Sequence, residues 1–122
     1  MLGYFQRKIN SFRYTFTGLR IAWVEESNFR FQVVYGILTI FLAFILDLSQ
    51  IEFLIVIALV GLVLTAELFN TALEELCDKF QPTHDPHIAK NKDLAAAAVF
   101  VSAVTAFVAG VIIFLPHLLK LI

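Results

Sequence analysis

Residues 52–70 read EFLIVIALVGLVLTAELFN, an apolar block whose acids, Glu52 and Glu67, lie at or near its two ends. At a rise of about 1.5 Å per residue, a helix of this length matches the ~30 Å hydrocarbon core of a bilayer. Two further blocks read the same way. Residues 31–47 are only just long enough to cross and need help from their flanks, while residues 94–115 run from Leu94 to Leu115 and stop before Pro116. With 60% hydrophobic and 16% charged residues in 122, the chain is too apolar for a soluble domain of its size. It is expected to be an all-α membrane protein with three transmembrane helices. The length allows one domain, 1–122, and there is no repeat, low-complexity tract or Gly/Ser linker to divide it.

Ahead of the first block, about residues 4–25 are predicted to form an amphipathic helix. Phe5, Ile9, Phe12, Phe16, Leu19 and Trp23 fall alternately four and three residues apart, on one face. Lys8, Arg13 and Arg20 flank that stripe, where long cationic side chains lie along acyl chains with their charges among headgroups. The segment lacks the long apolar core and small-residue cleavage pattern of a secretory signal. The polar run Glu25-Glu26-Ser27-Asn28 is expected to break this surface helix from the first span. Pro82, Asp85 and Pro86 are expected to stop the helix that follows the second.

Eight of the nine Lys and Arg fall either before the first span or between the second and third; only Lys120 lies elsewhere. The positive-inside rule therefore puts the N-terminus and the second loop in the cytoplasm. The single Cys77 excludes an intrachain disulfide and reads as a packing residue. On the third span, Ala95, Ala98, Ser102, Ala106, Ala109 and Gly110 form a small-residue face that suits close helix packing in lipid. Three spans hide acidic groups poorly, which favours a homo-oligomer.

Glu67, Asn70, Glu74 and Asp78 are spaced three, four and four residues apart, so one helix face carries all four at the cytoplasmic end of the second span. Acids at that depth need a cation, water or a partner. Asp78 and the neighbouring Glu75 are far enough along to be simply solvated. Glu67 and Glu74 lie two turns apart, about 10 Å along the axis, too far to hold one ion directly. The deeper carboxylate suits accepting a proton from a lipid hydroxyl, and the outer one suits holding Mg²⁺ on a phosphate chain. Lys92, before the third span, is placed to neutralise phosphate oxygens at the same face. The five glycines are scattered and form no phosphate-binding loop, and His84, Asp85 and His87 lack a second cluster that would make a zinc site. Nothing points to nucleic acid. A non-catalytic membrane subunit with an acidic cation or proton site is the alternative, weakened because Glu67 and Glu74 share one membrane edge instead of stepping through the bilayer.

The run Glu67-Leu68-Phe69-Asn70-Thr71-Ala72-Leu73-Glu74, then Asp78, then Ala89-Lys90-Asn91-Lys92-Asp93 before an Ala-rich span, resembles the signature of the small prokaryotic diacylglycerol kinase and undecaprenol kinase family. Gly18-Leu19-Arg20-Ile21-Ala22-Trp23, Glu26 and Phe29-Arg30 extend the resemblance over nearly the whole chain. It implies a homotrimeric, ATP-dependent lipid kinase of the bacterial cytoplasmic (inner) membrane, with composite sites shared between subunits. On that resemblance Glu67 is the catalytic base, Glu26 and Glu74 are the Mg²⁺ ligands, and Asn70 is a polar site residue. Lys92 and Asp93 become phosphate and nucleotide contacts, and Arg7, Tyr14 and His84 fall at nucleotide-contacting positions. The His84-Asp85-Pro86-His87 loop and the Phe114-Leu115-Pro116 ending look more like undecaprenol kinases than diacylglycerol kinases.

Overall fold

The computed structural model describes residues 1–122 as four helices: α1 Leu2–Glu25, α2 Ser27–Ile45, α3 Gln50–Phe80 and α4 Pro86–Leu119. The break expected over residues 25–28 narrows to one residue, Glu26, whose extended backbone (φ −108°, ψ 107°) ends α1 and caps α2. Arg30, one turn into α2, donates from Nη1 to Trp23 O at 2.7 Å and Val24 O at 2.9 Å, satisfying carbonyls that the end of α1 would leave open. Ala22 and Phe29 are buried on either side of this elbow. The angle between surface helix and span is thus held by side-chain bonds and packing together.

At the far end the chain reverses within four residues. Leu48 N–H donates to Ala43 O and Asp47 N–H to Phe44 O, both at 3.2 Å, the paired bonds of a Schellman ending. The motif requires a left-handed residue, and Asp47 supplies it with φ 53°; aspartate tolerates that region better than most side chains. Ser49 then caps α3. Its hydroxyl accepts from Glu52 N–H while its own N–H donates to the Glu52 carboxylate, a reciprocal capping box. Glu52 Oε2 also lies 3.1 Å from His117 Nε2, tying the start of α3 to the end of α4, a pairing absent from the sequence reading.

One expectation is corrected. The helix that follows the second span does stop ahead of Pro82, at Phe80, but Pro86 begins the next helix. Asp85 accepts from the N–H groups of His87 and Ile88, and Pro86 occupies the first helical turn, where its missing N–H goes unneeded. Helix α4 therefore starts eight residues ahead of the expected span, and it also continues through Pro116 to Leu119. With 31 and 34 residues, α3 and α4 are about 46 and 51 Å long, well beyond the ~30 Å hydrocarbon core. The excess carries Glu74, Asp78 and Lys92 out of the apolar layer on rigid helix.

Helix α3 is central, packing on both α2 and α4, and α1 touches chiefly α2. A small core of Ala43, Leu48, Val56 and Ile113 gathers at the reversal. Only 10 of 122 residues are buried, while Phe31, Phe41, Phe44, Phe100 and Phe107 point outward, as expected of helices whose solvent is lipid. Helices α2, α3 and α4 are each long and apolar enough to cross a membrane. Cys77 is buried, in keeping with a packing role. On the small-residue face of α4 Ser102 is buried and bonded to Val99 O at 2.7 Å, but Ala98 is exposed and Gly110 meets open space.

Helix α2 packs tightly on α3 at Gly36, where a Cβ would stand 2.7 Å from Val60 Cγ1. Lipid offers little hydrophobic drive to hold helices together, so this packing matters. Gly36→Leu is expected to separate α2 from α3 and lower the unfolding midpoint in detergent. Val60→Ala in the same chain should recover part of the loss, and a Gly36→Leu protein melting with wild type would refute the contact.

Candidate active site

The deepest acid is Glu67. Its side chain is buried, with the residue only 4% exposed, and its one hydrogen bond comes from Gln32 on α2, whose Nε2 donates to Glu67 Oε2 at 3.2 Å. The charges of Glu26, at the elbow, and Glu74, two turns along α3, both bear on the same carboxylate. The carboxylate thus feels charge both from the elbow and from its own helix within a single chain. Glu26 and Glu74 are half-buried, and neither side chain makes an internal hydrogen bond or ion pair.

Further out, Lys92 Nζ lies 2.8 Å from Asp78 Oδ1, joining the end of α3 to the start of α4. Asp78 is thus the partner of Lys92 and not merely a solvated acid. Glu74 also lies within the field of this ammonium. A polar hollow of about 190 Å³ opens beside the pair, lined by Asp78, Gln81, Thr83, His84, Asp85 and Lys92 among others. His84 is brought to Lys92 in this way, because the α3–α4 connection folds back over the helix ends.

On the membrane side of Glu67 lies an apolar groove of about 670 Å³ between α2, α3 and α4. It begins at Phe31 and Gln32 and runs toward Leu118, with small residues at Gly36, Ala103, Ala106 and Gly110 leaving the room. Sequence reasoning missed the groove, although those small residues on two different helices were its trace. Gln32 Oε1 and Asn70 Oδ1 are both buried without a hydrogen-bond partner.

The family model described as prokaryotic diacylglycerol kinase matches residues 13–114. The chain belongs to this family. Similar proteins include an undecaprenol kinase of Bacillus subtilis (strain 168), 39% identical over 93 residues that cover 76% of each chain. A diacylglycerol kinase of Escherichia coli (strain K12) is 31% identical over 113 residues, 93% of each chain. A diacylglycerol kinase of Synechocystis is 37% identical over 112 residues, 91% of this chain and 64% of that one.

Of the residues that resemblance to the family singles out, the fold gathers Glu26, Glu67, Asn70, Glu74, Lys92 and His84 at one end of the helix array. Asp93 is exposed beside Lys92. Arg7 and Tyr14 are not brought there by their position on α1. They are exposed on that helix, roughly 28 and 18 Å along its axis from Glu26, and Arg7 spends its Nε on Gly3 O. No three His, Cys, Asp or Glu side chains gather to cage a metal. Two unpaired carboxylates are nevertheless what Mg²⁺ takes when phosphates and waters complete its shell, and Glu26 and Glu74 fit that donor set.

Proposed function

We propose that this chain is an ATP-dependent lipid kinase that transfers the γ-phosphate of MgATP to the hydroxyl of a membrane lipid, and that the lipid is undecaprenol ahead of diacylglycerol. Membership of the family supports the reaction class. The observation that carries the mechanism is that Glu67, a buried carboxylate, is bonded to Gln32, whose side chain lines the head of the apolar groove, while Asp78 and Lys92 lie further along toward the polar end. A lipid tail in that groove would bring its hydroxyl to Glu67, while a phosphate chain reaches the same point from the water.

The lipid oxygen attacks the γ-phosphorus, the bond to the bridging oxygen of ADP breaks, and Glu67 takes the hydroxyl proton. Glu26 and Glu74 would hold Mg²⁺, which when bound neutralises and orients the phosphates. Lys92 offsets charge on the transferred group. Asn70 is assigned to the same site, and Arg7, Tyr14, His84 and Asp93 to the nucleotide. The distance of Arg7 and Tyr14 from Glu26 along α1 supports a site completed by a neighbouring subunit, as in a homotrimer. The distribution of Lys and Arg supports a cytoplasmic N-terminus and α3–α4 connection in the bacterial inner membrane.

The choice of lipid rests on the loop and C-terminal resemblance, since identity to an undecaprenol kinase (39%) and to a diacylglycerol kinase (37%) is nearly equal. Purified protein with Mg²⁺ and labelled ATP should phosphorylate undecaprenol with a higher kcat/KM than diacylglycerol. The reverse order would overturn the choice of lipid, and no phosphorylation of either would overturn the kinase.

A further inference from the structure

Gln32 touches both halves of the site. Its Nε2 donates to the Glu67 carboxylate at 3.2 Å, and the residue also lines the head of the apolar groove. Its other polar atom, Oε1, is buried and has no partner. Folded proteins rarely leave a buried amide oxygen unpaired, and one that stays so calls for a donor from outside the fold. Asn70 Oδ1, one turn beyond Glu67 on α3, is in the same condition. Gln32 therefore brings one open amide oxygen to the head of the groove, with the Glu67 carboxylate held at the other end of the same amide, and both are acceptors.

What it lacks is a hydrogen to accept. A molecule that fills an apolar groove from the membrane and offers one O–H at its end meets that need. Sterol esters, triacylglycerols and other lipids without a hydroxyl would leave the acceptors unpaired, a larger penalty than the loss of a tail contact.

We propose that Gln32 is a substrate-binding and positioning residue, which fixes the Glu67 carboxylate through its N–H and receives the lipid O–H on Oε1, so that the hydroxyl is held beside the base that takes its proton. The assignment rests on the lipid kinase reading above. Each end of one amide has a separate task. The N–H end sets the carboxylate angle and acts on kcat. The carbonyl end holds the alcohol and acts on the lipid KM.

Those tasks are separable by substitution. Gln32→Leu removes both and should lower kcat/KM for the lipid alcohol about ten- to a hundredfold, the scale of a hydrogen bond to a charged or buried partner. The KM for MgATP and the melting temperature in detergent should stay at wild type. Gln32→Glu keeps an acceptor but sets a second carboxyl group against Glu67, where the two share a proton that blocks the base, so its lipid KM should stay near wild type while kcat falls. If Gln32→Leu does not yield folded protein, Gln32→Met, unbranched and without a polar side-chain donor, is measured in its place.

Wild-type protein that fails to phosphorylate any lipid alcohol overturns the kinase reading itself. Wild-type activity with a Gln32→Leu or Gln32→Met kcat/KM within twofold of it overturns the role of Gln32 alone. Equal rises in lipid KM for Gln32→Glu and Gln32→Leu overturn the Oε1 contact. A fall in melting temperature with both KM values raised together shows a purely structural residue and also overturns the proposal.

Discussion

Glu67→Gln is expected to lower lipid phosphorylation by about 10²–10⁴-fold, the usual contribution of a general base, while the protein stays folded and keeps its oligomeric state. The substitution preserves size and shape. The new amide still offers an oxygen to the Gln32 N–H that now donates to Glu67 Oε2, and removing a negative charge relieves the mutual repulsion of Glu26, Glu67 and Glu74. Loss of stability would therefore not account for loss of rate. Labelled-ATP assays in detergent, with circular dichroism and sizing on the same sample, make the check. A variant that keeps a tenth of the wild-type rate would rule out Glu67 as the base.

The three spans were legible because bilayer thickness imposes a length and a polarity on each, and nothing else in the chain has to be known. The acidic face was legible too, since Glu67, Asn70 and Glu74 share one helix and the period of 3.6 places them together. Contacts between helices were not. Gln32 with Glu67, Asp78 with Lys92 and Glu52 with His117 pair residues 35, 14 and 65 positions apart, and which of them meet depends on how helices pack, which periodicity leaves open. Pro86 was misread for a local reason: the residue that breaks a helix interior also suits a first turn, and only the Asp85 cap decides between them. Arg7 and Tyr14 show the opposite limit. Their assignment came from resemblance, and the fold leaves both on the exposed surface of α1.

Lys92→Met is expected to reduce kcat by about 10²–10³-fold, the cost of removing one group that stabilises charge in a transition state, with little change in melting temperature. The ion pair with Asp78 makes this a sharper test than the lysine alone. At rest Lys92 Nζ lies 2.8 Å from Asp78 Oδ1, with the two side chains 36% and 67% exposed. A pair that open to water adds little to folding, so a phosphate group can take the ammonium from Asp78 at small cost. On that expectation Asp78→Asn should leave the rate within about tenfold of wild type, since the lysine keeps its charge. Measured side by side under saturating MgATP and lipid, the two variants should differ by about an order of magnitude or more. If Asp78→Asn proves as damaging as Lys92→Met, the intact pair is what the reaction needs, and the assignment of Lys92 to the transferred phosphate fails.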